Sequence, residues 1–239
     1  MPHVTTANLA CGFHAGDPMI MVETVRLARR HGVVVGAHPG LPDLRGFGRR
    51  VMSLSPDEVY ADTIYQAGAL RAVLQAHSME LHHVKPHGAL YSMLSVSEPL
   101  SEAFARAVID VCPQPMIYYP APAEKHAVTR IAADMGIDVV PELYFDLSYD
   151  DDGGLILKRA NEGADLADTK QRLARFLERG EVLSVNGNAV PMTARSICLH
   201  GDGPNAVDLA CTIGDGLTAA KYELSPLVPA PAMTGRAAQ

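Results

Sequence analysis

Short apolar segments alternate with longer amphipathic segments along this chain of 239 residues, and this alternation constrains the fold most strongly. The apolar segments are partly β-branched and end at Gly, Pro or His. This is typical of strands that are buried on both faces of a parallel sheet. They predict strands at 6–11, 33–37, 81–84, 116–119, 139–143, 182–185 and 196–199.

Helix start and stop signals lie between these strands. Asp17 followed by Pro18 is a good helix start, and Ser55 with Glu58 three residues later forms a capping box. Glycine follows several of the amphipathic segments, as expected after a helix. The spacing predicts helices at 17–31, 55–77, 97–112, 122–135, 168–179 and 205–222.

Strand–helix alternation without a break in composition predicts one α/β domain with a parallel sheet. Polar clusters recur at the end of nearly every strand, which favours a closed barrel over an open sheet with one switch point. We therefore expect a single (β/α) barrel domain over 1–224 and a loose Pro- and Ala-rich tail over 225–239. The sequence DDDGG at 150–154 predicts a turn.

Composition excludes several classes of protein. The net charge of −7 and the isoelectric point near 5.8 argue against nucleic acid and acidic membranes as partners. The four cysteines have no CxxC spacing and are expected to be reduced thiols. The chain shows neither a signal peptide nor a membrane-spanning apolar stretch, so we expect a cytoplasmic protein.

Polar residues beside Gly or Pro follow the predicted strands, and a barrel would bring them to one rim. Imidazoles and carboxylates there could bind a divalent metal ion, exchange protons, or do both. A lysine could neutralise a substrate carboxylate or an oxyanion, and neighbouring glycines allow close approach of the backbone to a ligand. The rim set is His14, His38, Lys85, His87, Glu142, Asp146, His200 and Asp202, and any metal ligands are expected among its four histidines.

Several of these residues have simpler interpretations. Asp17 is as well explained by helix capping as by catalysis. Arg49 and Arg50 fit a solvated charge pair as well as a phosphate contact, and at least one of His82 and His83 is expected to serve packing. The chain contains no GxxxxGK[ST], GxGxxG, HExxH or GxSxG motif, so the usual nucleotide, zinc-protease and serine-hydrolase signatures are missing.

Four blocks of the sequence, in order, resemble the LamB/YcsF family: NLACGFHAGDP, GAHPGLPDLRGFGRR, VKPHGALY and SICLHGD. The resemblance implies a distorted seven-stranded (β/α) barrel similar to glycoside hydrolases and deacetylases. It also implies a role as one component of ATP-dependent 5-oxoprolinase, which hydrolyses 5-oxo-L-proline (pyroglutamate) to L-glutamate. Two partner subunits, B and C, are then expected, and ATP would be handled partly by them.

The same resemblance implies which residues form the site. The catalytic set it implies is His14, Asp17, His38, Lys85, His87, Glu142, Asp146, His200 and Asp202, with Gly12, Gly40, Arg49 and Gly88 as substrate or phosphate contacts. Two features depart from the family pattern. A DLNCDLGE-like first strand is expected before Thr5, where this chain has four residues, and Leu147 stands where the family usually has Arg.

Three hypotheses follow. The first is a component of 5-oxoprolinase, and the second is a free-standing metal-dependent hydrolase similar to deacetylases. The third is an inactive homologue that lacks the first strand and serves a binding role in a complex. The short N-terminus and Leu147 favour the third hypothesis, and the intact histidine blocks argue against it.

Overall fold

The computed structural model describes residues 1–156 and 163–228. Within these residues the strands are β1 Thr6–Ala10, β2 Val34–His38, β3 Leu81–Val84, β4 Met116–Pro120, β5 Asp138–Tyr144, β6 Ser148–Tyr149, β7 Leu155–Ile156, β8 Glu181–Leu183, β9 Ala189–Pro191 and β10 Ser196–Cys198. The helices are α1 Pro18–His31, α2 Pro56–Ala76, α3 Gly88–Val96, α4 Glu98–Val111, α5 Ala127–Asp134, α6 Leu166–Arg179 and α7 Ala206–Ala219.

The chain divides into two compact units. The larger unit contains Thr6–Tyr118 and Lys125–Val139, together with Leu227 and Val228. The smaller unit contains Met1–Thr5, Tyr119–Glu124 and Val140–Pro226. The prediction of one barrel domain over 1–224 stays a prediction.

Parallel strands form the sheet of the larger unit, in the order β1, β2, β3, β4. β1 lies in register with β2 from Thr6 opposite Val34 to Ala10 opposite His38. Parallel neighbours end at the same edge, so the segments that follow β1, β2 and β3 start side by side. The predicted parallel α/β class is confirmed.

The two predicted helix starts of the larger unit are confirmed. Asp17 accepts a hydrogen bond from the N–H of Ile20 at 2.9 Å, and α1 ends at Gly32 in the left-handed conformation. Ser55 and Glu58 form the predicted capping box at the start of α2. One helix of this unit, α3, was missed. It is short, begins at Gly88 and has no side-chain cap, so it lacks the usual start signal.

The smaller unit pairs β5 with β10 in parallel, with Ser196 opposite Glu142 and Cys198 opposite Tyr144. The strand predicted at 182–185 was assigned to the parallel sheet, which is wrong. The observed strand, β8, covers Glu181–Leu183 only. β8 pairs antiparallel with β9 through a tight turn, in which Gly187 has a φ of +81°. The turn closes because the N–H of Ser184 donates to the carbonyl of Asn188 at 2.9 Å.

The remaining expectations have mixed outcomes. None of the four cysteines forms a disulfide bond, in agreement with the prediction of thiols. The predicted turn at 150–154 is present. Of the predicted loose tail, 229–239 lies outside the described residues, and the Leu227 carbonyl accepts a hydrogen bond from His82 Nε2 at 2.7 Å. Among the helices that the structure describes, none is long and apolar enough to span a membrane.

Candidate active site

Three histidines come together in the larger unit. His14 lies in the loop after β1, His38 is the last residue of β2, and His87 follows β3 directly before α3. His14 and His87 are buried, and His38 is partly buried. Each side chain offers a nitrogen, and these nitrogens all lie within 4.8 Å of one another. We call His14, His38 and His87 the histidine cluster.

The rings of the histidine cluster are held by stacking and by backbone carbonyls. The His14 and His87 rings are parallel, with centroids 3.7 Å apart. His38 Nδ1 lies 2.7 Å from the carbonyl oxygen of Lys85, and His87 Nε2 lies 2.7 Å from that of Phe47. The other nitrogens of these two rings, His38 Nε2 and His87 Nδ1, face each other at 3.0 Å.

Burial and charge keep at least two of these imidazoles neutral. Burial, followed by the charges of His87 and Arg49, lowers the pKa of His14 to about 3. Burial also lowers the pKa of His38 well below its usual value, with smaller contributions from His87, Lys85 and His14. Neutral imidazoles present lone pairs, which suits a ligand or proton acceptor more than a cationic binding site.

Glycines shape the space around the histidine cluster. A Cβ at Gly40 would lie 2.4 Å from His14 Nδ1, and a Cβ at Gly88 would lie 2.6 Å from the carbonyl oxygen of Gly48. The N–H of Gly40 donates to Gln66 Oε1, and the N–H of Gly12 donates to the Ala15 carbonyl. Phosphate binding by Gly12 and Gly40 through these N–H groups would require both to leave their present partners.

The charged residues of this unit have distinct roles. Lys85 is buried directly after β3. Arg49 lies over the Phe47 ring at 5.1 Å, whereas Arg50 forms an ion pair with Asp43. The hydrogen bond from Arg50 is the main cause that lowers the Asp43 pKa to about 2. The exposed Asp17 serves as the cap of α1, the simpler of its two interpretations.

In the smaller unit an aspartate and a histidine form a pair. Asp146 follows β5 and His200 follows β10, and His200 Nδ1 lies 2.7 Å from Asp146 Oδ2. The backbone N–H of His200 donates to the same oxygen at 3.1 Å. Burial raises the Asp146 pKa, but the hydrogen bond and charge of His200 outweigh it, so the pKa lies below its usual value.

This Asp146–His200 pair has the arrangement of a general base. An ionised carboxylate beside Nδ1 fixes the ring proton there and leaves Nε2 as a proton acceptor. The His200 side chain is 31% exposed, so the ring is open to solvent. Among the described residues Asp146 Oδ1 is buried without a hydrogen-bond partner.

Glu142 is held by two residues that the sequence patterns did not reveal. Tyr144 Oη and Ser196 Oγ each donate to its carboxylate at 3.2 Å. Glu142 and Ser196 lie opposite each other on β5 and β10. The contact between Glu142 and Ser196 could not be predicted from the sequence because it depends on the pairing of these two strands. Asp202 lies in the exposed turn that follows β10.

The segment after β5 contains Leu147, where the family resemblance predicts Arg. Its side chain packs against the apolar core of the smaller unit. A different guanidinium reaches this segment, because Arg172 on α6 donates to the carbonyls of Phe145 and Leu147 at 2.9 and 2.7 Å. The guanidinium of Arg172 therefore holds the backbone of the segment that follows β5.

The predicted site residues thus form two groups. His14, His38, Lys85, His87 and Arg49 lie in the larger unit, and Glu142, Asp146, His200 and Asp202 lie in the smaller unit. The group of possible metal ligands found among the described residues consists of His14, His38 and His87. His200, the fourth predicted ligand, has its Nδ1 bound to Asp146 instead.

Comparisons with known proteins identify the family. A protein of Geobacillus thermodenitrificans, named as the A subunit of 5-oxoprolinase, is 47% identical over 88% of this chain and 82% of its own length. One of the same name from Bacillus subtilis is 42% identical over 95% of this chain and 88% of its own length. The crystal structure of the lactam utilization protein from Thermus thermophilus superposes with a TM-score of 0.83. It is 40% identical and covers 94% of this chain and 89% of its own. The profile of the LamB/YcsF family matches residues 1–232, and the chain belongs to the LamB/YcsF family.

Proposed function

We propose that this protein is the A subunit of an ATP-dependent 5-oxoprolinase. It would hydrolyse 5-oxo-L-proline to L-glutamate, with hydrolysis of ATP, in a complex with subunits B and C. The names of the relatives support a hydrolase related to 5-oxoprolinase, and the word subunit in those names supports a complex. The name of the solved relative, a lactam utilization protein, agrees because 5-oxoproline is a lactam.

The Asp146–His200 pair is the observation that carries the proposal. A lactam is a stable amide, so opening the ring requires both an activated carbonyl and a nucleophile. Transfer of the γ-phosphoryl group of ATP to the amide oxygen would make the ring carbon more electrophilic. His200 Nε2 would then take a proton from the water that attacks this carbon, while Asp146 stabilises the imidazolium that forms. The imidazolium would return the proton to the ring nitrogen as the C–N bond breaks, and hydrolysis of the resulting acyl phosphate would release phosphate and glutamate.

Four finer features belong to the same proposal. We propose that the fold is a distorted seven-stranded (β/α) barrel of the glycoside hydrolase and deacetylase type. We also propose that the protein works in the cytoplasm. Lys85, buried after β3, is the proposed partner of the substrate carboxylate or of a developing oxyanion. Arg49 is the proposed phosphate contact.

The test is release of glutamate from 5-oxoproline with ATP, using the chain with and without its candidate B and C subunits. We expect release only when all three chains and ATP are present. Release of ADP and glutamate in a one-to-one ratio would support coupled chemistry. Absence of glutamate release when all three chains and ATP are present would contradict the proposal.

A metal-dependent hydrolase similar to deacetylases is the second candidate. The histidine cluster favours it, since three imidazole nitrogens within 4.8 Å suit a transition metal ion. This candidate predicts hydrolysis of a simple amide or acetyl ester by the chain alone, without ATP. Activity that requires both ATP and the partner chains would eliminate it.

A further inference from the structure

We propose that Arg172 on α6 is a positioning residue for the Asp146–His200 pair. It binds backbone carbonyls on both sides of Asp146 and so fixes the carboxylate that orients the His200 ring. The inference rests on the proposed function, because that ring is the proposed proton acceptor. Arg172 touches neither the substrate nor the attacking water, and it acts on the reaction only through the backbone.

The first argument is the place of Asp146 in the chain. Asp146 is the middle residue of a three-residue bend between β5 and β6. Arg172 Nη1 donates to the Phe145 carbonyl at 2.9 Å, and Nη2 donates to the Leu147 carbonyl at 2.7 Å. Nη2 also lies 3.4 Å from the carbonyl oxygen of Tyr144. One rigid, planar group therefore holds the backbone before and after the aspartate.

The second argument connects the Phe145 carbonyl to the Asp146 carboxylate. The peptide bond between these two residues is trans, so its N–H points away from its carbonyl. Arg172 binds the carbonyl and thereby sets the direction of the Asp146 N–H. Burial raises the Asp146 pKa, but contacts with His200 and with the Asp146 N–H lower it below the usual value. The N–H that Arg172 orients is therefore one of the groups that face the carboxylate.

The third argument is how closely the carboxylate must be placed. Asp146 Oδ2 faces His200 Nδ1 at 2.7 Å and also accepts from the His200 backbone N–H at 3.1 Å. A ring and a backbone N–H of the same residue can meet one oxygen only over a narrow range of positions. The Asp146 side chain is 2% exposed, so water has little access to replace a lost contact. A displaced carboxylate would let the ring proton move to Nε2, which must be free to accept a proton.

Arg172 is itself held in place. Its guanidinium lies over the Phe145 ring, 5.8 Å from the centroid, and its Nη1 lies 3.8 Å from a carboxylate oxygen of Asp168, one turn earlier on α6. The next residue, Leu173, is buried in the apolar core of the smaller unit. A Cβ at Gly216 on α7 would lie 2.6 Å from Leu173, so the glycine allows this close contact between the helices. The Arg172 side chain is 18% exposed, which shields its hydrogen bonds from water.

The first test reads the ring proton of His200 in the chain alone, without substrate, ATP or partner chains. Long-range ¹H–¹⁵N spectra are recorded well above the usual histidine pKa of about 6.5, and the His200 signals are those missing from His200→Gln. Arg172→Lys keeps the charge but cannot bind two carbonyls as a planar fork. We expect the proton on Nδ1 in the wild type and a shift of the population toward Nε2 in Arg172→Lys.

Arg175→Lys is the matched control. Arg175 lies on the same helix, and its ion pair is with Glu181 at the start of β8. The substitution is the same exchange of arginine for lysine at a different contact. We expect the His200 proton of this variant to stay on Nδ1. An unchanged proton position in a folded Arg172→Lys would overturn the proposal, as would an equal shift in Arg175→Lys.

The second test is glutamate release by the assembled enzyme. A small displacement of a catalytic group can cost about 10²-fold in rate, so we expect kcat of Arg172→Lys to fall by about 10- to 100-fold. The KM for 5-oxoproline should stay unchanged, because Arg172 does not touch the substrate. A merely structural role would lower stability and leave kcat per folded enzyme unchanged. That result would overturn the proposal.

A measurement on the wild type alone keeps the proposal testable if Arg172→Lys does not fold. Couplings across hydrogen bonds should link the Arg172 Nη groups to the carbonyl carbons of Phe145 and Leu147. Missing couplings, or a His200 proton on Nε2, would overturn the proposal. The spectra use no 5-oxoproline, so they can succeed where the proposed activity fails. A shifted proton in Arg172→Lys without glutamate release by the wild type would contradict the proposed function and support the positioning of the pair.

Discussion

The two units use histidine in opposite ways. In the larger unit the rings of the histidine cluster contact one another and backbone carbonyls, and burial holds His14 and His38 neutral. In the smaller unit the ring of His200 contacts a carboxylate and is 31% exposed. The residue type is the same, but one environment surrounds buried neutral rings with other rings and carbonyls, and the other places a carboxylate beside a partly exposed ring.

This difference arises from the groups that contact each ring, which are a side-chain carboxylate in the smaller unit and backbone carbonyls in the larger. A carboxylate beside Nδ1 stabilises the imidazolium, whereas a carbonyl orients the ring with much less stabilisation of the charge. Exposure adds to the effect because water also stabilises a charged ring. The comparison predicts a proton-transfer role for the smaller unit and tightly packed, neutral rings in the larger.

The largest expected effect tests the proton-transfer role. His200→Ala should lower turnover of the assembled enzyme by about 10²–10⁴-fold, because a general base contributes about that factor. Asp146→Asn keeps the shape but removes the charge, and should lower turnover by a smaller factor within that range. The measurement is steady-state glutamate release. His31→Ala, at the exposed end of α1, is the control. Turnover of His200→Ala within about threefold of wild type would contradict the assignment.

The next effect tests how tightly the histidine cluster is packed. Gly40→Ala would place a Cβ 2.4 Å from His14 Nδ1, and the buried ring has little room to move. We expect the free energy of unfolding to fall by about 1–3 kcal/mol, as is usual for overpacking. Urea denaturation monitored by circular dichroism measures it.

Gly68→Ala is the matched control for that substitution. Gly68 lies inside α2, and a Cβ there would meet no atom within 4 Å. We expect this variant to be more stable than wild type by about 0.5–1 kcal/mol, because alanine is the better helix former. If the two variants change stability by the same amount and sign, the space beside His14 is not restrictive.

The third prediction contrasts the pH dependence of the two units. Burial, followed by the charges of His82 and Lys85, lowers the pKa of His83 well below its usual value. Below about pH 6.5 the unfolded chain therefore binds a proton that the folded chain does not. The free energy of unfolding should fall with falling pH in that range, by about 1.4 kcal/mol per pH unit from this residue. His83→Gln should lose that part of the slope.

Asp146 should act in a different pH range. Its pKa is lowered in the folded protein, so its contribution to stability is complete above the usual carboxyl pKa of 3.8 and is lost as the pH falls through the folded value. Asp146→Asn should therefore change the slope only below about pH 5. Urea denaturation between pH 3 and 8 measures both variants. A His83→Gln slope equal to that of wild type near pH 6 would refute the contrast.

The smallest expected effect concerns Asp17. Asp17→Ala removes the cap of α1 and should lower the free energy of unfolding by about 0.5–2 kcal/mol. Asp17→Ser keeps a capping oxygen and should restore most of that stability. Turnover that follows stability in both variants would establish capping as the role of Asp17. Loss of turnover in a stable Asp17→Ser would instead support the catalytic role.

Much of the fold could be predicted from local signals. The strands at 81–84 and 116–119 and the starts of α1 and α2 follow from apolar periodicity and capping residues, which act over a few residues. The segment at 182–185 was assigned to the wrong sheet because its pairing depends on the turn that follows it. α3 was missed because it starts without a cap.

The sequence by itself determined the family, the parallel α/β class and the set of polar residues at the strand ends. These depend on residue types and spacing, which are local. Only the tertiary structure decided which of those residues touch. It gave His14 and His87 a stacked contact, gave His200 a carboxylate partner, and placed His38 Nε2 3.0 Å from His87 Nδ1. Such contacts join residues 49 or more positions apart, and they depend on strand register and burial, which short-range sequence patterns do not encode.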